Sequence, residues 1–199
     1  MRHFVSPAIA GLFCALALPT FAQQQPPEGE SAGERPNAPA FELTSPDFVD
    51  GAAMPDDLKC TRDGGSGLSP PLAWTNAPRE TGGYAIVMQH YPHGTYPSVN
   101  DPSHYWLVWN IPADADGLDT GNPHSLGVEG SDKDIRDTGY TPPCSPAGGR
   151  THEYTIWVYA LDGPLTELPS EDSIEISWPD VIGALEGHVL NAASITFTN

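Results

Sequence analysis

Basic residues are what this chain has least of: 8 Lys and Arg stand against 26 Asp and Glu among 199 residues, a formal charge of −18. Such a field repels phosphate backbones and anionic bilayers, which argues against nucleic acid as a partner. The surplus acid is read as solubility rather than as a site for one particular cation. Long apolar runs are also missing, and the run from Ala8 to Leu18 falls short of the roughly twenty residues that a spanning helix needs. There is no internal repeat and no GxSxG. Ser66, Ser98 and Ser103 stand in Gly/Pro/Asn surroundings typical of turns, so no serine nucleophile is announced. Cysteine is scarce, limited to Cys14, Cys60 and Cys144.

What is present at the N-terminus has the pattern of an export signal. Arg2 precedes the short apolar run, and "TFA" ends at Ala22 with a small residue for cleavage. Phe13 before Cys14 is too large for lipoprotein processing. Residues 1–22 are therefore expected to be removed, taking Arg2 with them and moving the charge from −18 to −19. The mature chain is expected in the periplasm or outside the cell, with no transmembrane segment. There Cys60 and Cys144 meet an oxidising compartment, as a disulfide or as two separate thiols; a bridge would close a long loop and add roughly 4 kcal/mol. Residues 23–40, rich in Pro, Gln and Glu, cannot repay their ordering entropy and are read as a disordered linker. Residues 41–199 are left for one domain, and with 39% hydrophobic residues the chain can build one core.

Three apolar runs dominate that domain: "YAIVM" (84–88), "HYWLVWNI" (104–111) and "YTIWVYAL" (154–161). Their β-branched and aromatic residues and Gly/Pro borders predict strands, and their lack of alternation predicts burial on both faces. "IEIS" (174–177) and "ITFT" (195–198) alternate and are predicted as half-exposed strands. One helix is predicted over 179–190, with Pro179 and Asp180 in its first turn and Val181, Ile182, Leu185 and Val189 on one face. The long segment 112–152 is expected to be functional or pinned, and Cys144 offers the pin.

Chemistry concentrates in "MQHYPHGTYPSVNDPSHYW" (88–106), which holds His90, His93 and His104. The HxxH spacing of His90 and His93 is that of helical zinc ligands, but Pro92 between them breaks such a helix and no Glu follows His90. A loop could still present His90, His93, His104 and His152 to zinc or copper. The other reading is a pocket without metal, in which imidazoles donate hydrogen bonds to an anion while ring faces exclude water.

Four segments decide more than any motif: 41–74, 107–118 ("LVWNIPADADGL"), 139–162 ("GYTPPCSPAGGRTHEYTIWVYALD") and 184–190 ("ALEGHVL"). In order and spacing they resemble the phosphatidylethanolamine-binding proteins, specifically the bacterial branch described as Raf-kinase-inhibitor-like. The resemblance implies a mainly β fold of antiparallel sheets with a few peripheral helices, one near the C-terminus. It implies no cofactor, no catalytic chemistry and a small pocket for phosphate or a phospholipid headgroup. By position, His152 and Tyr154 match the family's His-x-Tyr, while Tyr140, Pro142 and Pro143 match its pocket-rimming loop. Cys60 and Cys144 match cysteines common in the bacterial branch.

Two departures stand out. Where the family carries Asp-Pro-Asp-x-Pro, this chain has His90, Tyr91, Pro92, His93 and Gly94, so pocket acids give way to imidazole. The family's pocket histidine stands five residues before the Asn of Asn-Ile-Pro, a place taken here by Tyr105, with His104 one residue earlier. A one-residue shift turns His104 away and Tyr105 inward unless a bulge intervenes. The expectation is an exported, non-enzymatic anion-binding protein using His90, His93 and His152 with Tyr105 and Tyr140. Its alternatives are a protein-interaction or inhibitor module, for a kinase or a protease, and a zinc or copper protein.

Overall fold

The computed structural model describes residues 39–92, 102–145 and 149–199. The predicted signal (1–22), all but the last two residues of the predicted linker (23–40), and His93 lie outside the described residues. In chain order the elements are β1 (Glu42–Thr44), β2 (Ala52–Ala53), β3 (Leu72–Thr75), β4 (Gly83–His90) and β5 (Ser103–Pro112). They continue with β6 (Gly117–Leu118), β7 (Val128–Glu129), β8 (Glu153–Leu161), α1 (Trp178–Leu185) and β9 (Val189–Thr198).

Six strands form one sheet in the order β2-β9-β8-β4-β5-β7, and β1-β3-β6 form a second, smaller sheet. Every pairing is antiparallel except that of β2 with β9. The three apolar runs of the sequence are thus the adjacent strands β8, β4 and β5. On one face Tyr84, Ile86, Met88, Val108, Ile156 and Val158 meet Phe41, which precedes β1, and Leu43, Leu72 and Trp74 of the small sheet. On the other, Ala85, Val87, Leu107 and Trp109 pack against Val181 and Leu185 of α1. Side chains as fully buried as Ile86 and Ile156 each contribute about 1.5–3 kcal/mol.

β4 and β5 are buried on both faces, as their unbroken apolar runs predict. β8 is not, because its burial alternates and leaves Trp157 and Tyr159 half-buried. The physical reason is that α1 is short and packs over β5, leaving the outer part of the second face less covered.

Two further expectations are corrected. "IEIS" is no strand: Ile174 and Glu175 form a turn, and Ser177 caps α1 in a reciprocal box with Asp180. The Ser177 backbone N–H donates to Asp180 Oδ2 at 2.9 Å, so capping chemistry outweighs the alternating pattern. The helix ends at Leu185 rather than 190, since Gly187 adopts φ +83°, and Val189 already belongs to β9. The predicted strand 195–198 is the second half of that longer β9. Among the described residues no helix is long and apolar enough to cross a membrane.

Candidate functional site

The first face of the large sheet does not end where its aliphatic side chains end. Two residues beyond Met88 on β4 comes His90, and two before Ile156 on β8 comes Tyr154, with His152 two further back. A period of two keeps all of them on one side of the sheet. Their rings meet: His90 lies 4.9 Å from Tyr154 and 4.8 Å from His152, the latter edge to face. Tyr154 stacks on Phe197 at 5.3 Å, which joins the cluster to the core. His152 is held by its backbone, which exchanges two 2.9 Å hydrogen bonds with Asn199.

Tyr105 faces inward and His104 away, as the spacing predicts, but with a β-bulge present rather than absent: two consecutive residues, Tyr105 and Trp106, share the first face. Met88 pairs with Trp106 and Gln89 with His104, so Tyr105 is the extra residue on β5. It therefore joins Trp106 on the first face, buried against Tyr154 at 5.0 Å and 6.4 Å from His90. On the edge of β5 away from β4, the Thr141 N–H donates to the Tyr105 carbonyl at 2.7 Å. That bond fastens the 140–143 strap beside the cluster. Tyr140 meets Trp106 edge-on at 5.7 Å, Pro143 is buried and Pro142 half-buried. Immediately after, Cys144 is bridged to Cys60, with Cα atoms 5.4 Å apart across 84 positions. Arg62 Nη2 adds a 2.6 Å bond to the Ser145 carbonyl.

The same bulge sends His104 to the opposite face. Its Nε2 lies 3.1 Å from both Ser131 Oγ and the Asp132 carbonyl, and Ser131 donates its own hydroxyl to the Ile176 carbonyl at 2.9 Å. Nε2 of His104 is thus a spent donor, and burial pushes the imidazole below its ordinary value.

The site's electrostatics follow from burial. His90 is 7% exposed, and desolvation lowers its pKa from 6.5, helped by His152 and Lys133 and opposed by the Glu153 carbonyl. That carbonyl lies 2.8 Å from Nδ1, so Nδ1 carries the hydrogen and Nε2 of the neutral ring is an acceptor. Burial first, then the neighbouring Tyr154 hydroxyl, raises the Tyr105 pKa well above its ordinary value. Lys133 stands with Nζ 5.9 Å from the Tyr105 ring, its backbone N–H bonded to Thr141 Oγ1 at 2.9 Å.

Of the residues singled out in the sequence, His90, Tyr105, His152 and Tyr154 are brought together, and Tyr140, Pro142 and Pro143 form the strap beside them. Lys133 was missed. Its signal was rarity, as one of 8 basic residues in an acidic chain, set within the long 112–152 segment. Among the described residues, the His/Cys/Asp/Glu trio whose ligand atoms lie within 4.8 Å of one another is Cys60, Asp63 and Cys144, and both its sulfurs are in the disulfide.

Residues 44–199 match the family model of the phosphatidylethanolamine-binding proteins. The chain belongs to that family. A UPF0098 protein of Methanothermobacter thermautotrophicus is 32% identical over 155 residues, covering 74% of this chain and 91% of the relative. A solved phosphatidylethanolamine-binding protein homologue from Chlamydia trachomatis is 28% identical with a TM-score of 0.67, covering 80% of this chain and 97% of its own. YbcL of Escherichia coli, 24% identical with a TM-score of 0.65 over 79% of this chain and 96% of its own, shares the fold. Within this member of the family, the cluster at the ends of β4, β5 and β8 is the candidate site.

Proposed function

We propose that this protein is an exported, non-enzymatic binding protein whose pocket takes a small oxyanion of the phosphate class, free or as a phospholipid headgroup. The observation that carries the reading is the edge-to-face pair His90–His152 packed with the Tyr105 and Tyr154 rings, with the Lys133 ammonium 5.9 Å from the Tyr105 ring as the nearby cation. Neutral His90 accepts the P–O–H of a monoanion at Nε2, and protonated His90 donates to a bare oxygen there. Tyr105 and Tyr140 shape the cavity. Non-enzymatic binding is supported by the phenols themselves, whose ionisation burial opposes, so neither is an activated nucleophile. Export is supported by the Cys60–Cys144 bridge, since such bonds persist in oxidising compartments.

Calorimetric titration of the mature protein with inorganic phosphate, beside elemental analysis of the same sample, tests the reading. We expect saturable binding that His152→Ala weakens about tenfold or more, the loss of one charge-assisted hydrogen bond. One zinc or copper ion per chain with no anion bound, or a stoichiometric protein partner that His152→Ala retains, would overturn it.

A further inference from the structure

Where the strap ends, three metal-ligating side chains from two segments meet. Cys60 opens a single 3-10 turn, Thr61–Asp63, and the Asp63 N–H donates back to the Cys60 carbonyl at 2.9 Å. Three residues per turn eclipse positions i and i+3, which puts the Asp63 side chain on the same side as Cys60. The strap delivers Cys144 to that side, and the two sulfurs and an Asp63 oxygen lie within 4.8 Å of one another. A disulfide has no use for this carboxylate, since a negative charge there opposes the thiolates through which the bridge forms and exchanges. Asp63 is nonetheless held in place. Arg62 donates to both of its oxygens, Nε to Oδ1 at 2.9 Å and Nη2 to Oδ2 at 3.1 Å. The same Nη2 donates to the Ser145 carbonyl at 2.6 Å, so one guanidinium fixes the carboxylate relative to the residue after Cys144. Each carboxylate oxygen keeps a lone pair for a further partner. Carboxylates that bind metals are oriented by outer hydrogen bonds of this kind.

We propose that Cys60, Asp63 and Cys144 form a zinc site whenever the bridge is open, so that the strap has two alternative staples, one covalent and one metallic. A protein dithiol opens the bridge. Its thiolate attacks Cys144 Sγ, because Cys144 is exposed while Cys60 is only 4% exposed, and Cys60 leaves as a thiolate. The second thiol of the reductant then displaces Cys144 as a thiolate, and the reductant departs as a disulfide. Zinc takes both thiolates, and the two protons of the dithiol go to solvent. Asp63 is the third ligand and water the fourth, a tetrahedral set that suits zinc. Two thiolates alone satisfy Cu(I), so the carboxylate is what favours the divalent ion. The charges also balance, since two thiolates and a carboxylate face one zinc ion and the Arg62 guanidinium.

The test is titration of the metal-stripped mature protein with zinc against a chromophoric chelator, in the oxidised form and after reduction with a water-soluble phosphine. Cobalt spectra and thermal melts of the same samples accompany it. The reduced protein is expected to bind one zinc per chain with a dissociation constant of about 1 μM or tighter, and the oxidised protein none. Cobalt in place of zinc should show thiolate charge transfer and the visible bands of a tetrahedral site. Zinc should raise the melting temperature of the reduced protein by about 5 °C or more. Asp63→Asn is expected to weaken zinc about tenfold or more while melting like the wild type when oxidised. An Asp63→Asn protein that binds within about twofold of the wild type overturns the three-ligand site. Equal zinc uptake by the oxidised protein, or a cobalt form without thiolate bands, shows that other residues hold the ion and overturns it too. A reduced chain that takes up no zinc, or that unfolds and is not refolded by zinc, does the same. None of these outcomes touches the anion-binding reading, which concerns the oxidised protein.

Discussion

The middle and the end of one sheet face obey the same alternation and hold opposite kinds of side chain. In the middle, Ile86, Met88, Ile156 and Val158 are fully buried and apolar. One period further on, His90, Tyr105 and Tyr154 are almost as buried but carry groups that burial penalises, visible in the lowered pKa of His90 and the raised pKa of Tyr105. The middle gains stability from every contact. The end gives some of it back to keep imidazole and phenol in a shielded place, a pattern that points to binding rather than to folding.

The comparison breaks most visibly at the staple. If the strap is held by the disulfide rather than by packing, a variant combining Cys60→Ser and Cys144→Ser loses about 4 kcal/mol, from a bridge spanning 84 positions, and its anion affinity falls as well. Chemical denaturation and calorimetry on the same protein read both effects. In the middle of the face, Ile156→Ala is expected to cost about 3 kcal/mol in denaturation while the folded fraction binds as before. Loss of affinity there would show that core and pocket are not separable. Away from both, Ser177→Ala removes the α1 cap and is expected to cost about 1 kcal/mol with binding untouched.

The smallest effect is on pH dependence. His90 and His104 both have folded pKa values below the unfolded 6.5, so the unfolded chain takes up protons first. Their contribution is whole above pH 6.5 and is lost as pH falls through the folded values. His188 runs the other way: the hydrogen bond to Asp162 raises its pKa, so its contribution is present below pH 6.5 and fades as pH rises through the folded value. Solvent screening keeps that exposed term small. Melting temperature is therefore expected to drop as pH is lowered from 7.5 towards 5, with His90→Gln flattening part of the slope and His104 keeping the rest. Added phosphate should flatten the wild-type slope too, since a bound anion favours the charged imidazole.

Much of this was legible beforehand, for reasons that residues make plain. The central strands announced themselves because runs such as "YAIVM" and "HYWLVWNI" are apolar without interruption, and burial on both faces permits nothing else. His152 and Tyr154 were legible as a pair because a spacing of two on a strand shares a face. "IEIS" misled because Ile174 and Ile176 alternate over too few residues to separate a strand from a turn that leads into a cap. The helix was drawn too long because Val189 has the right period, and the left-handed Gly187 that ends the helix does not show in a hydrophobic pattern.

By itself the sequence determined the three central strands, through local composition and short-range periodicity, and, through the order and spacing of four segments, the family and most residues of the candidate cluster. Only the tertiary structure decided that Tyr105 shares the first face with Trp106 through a bulge, that its carbonyl receives the 140–143 strap, and that Lys133 stands near its ring. Each depends on which backbone groups a neighbouring segment leaves unpaired, a matter of contact between residues tens of positions apart that no local pattern encodes.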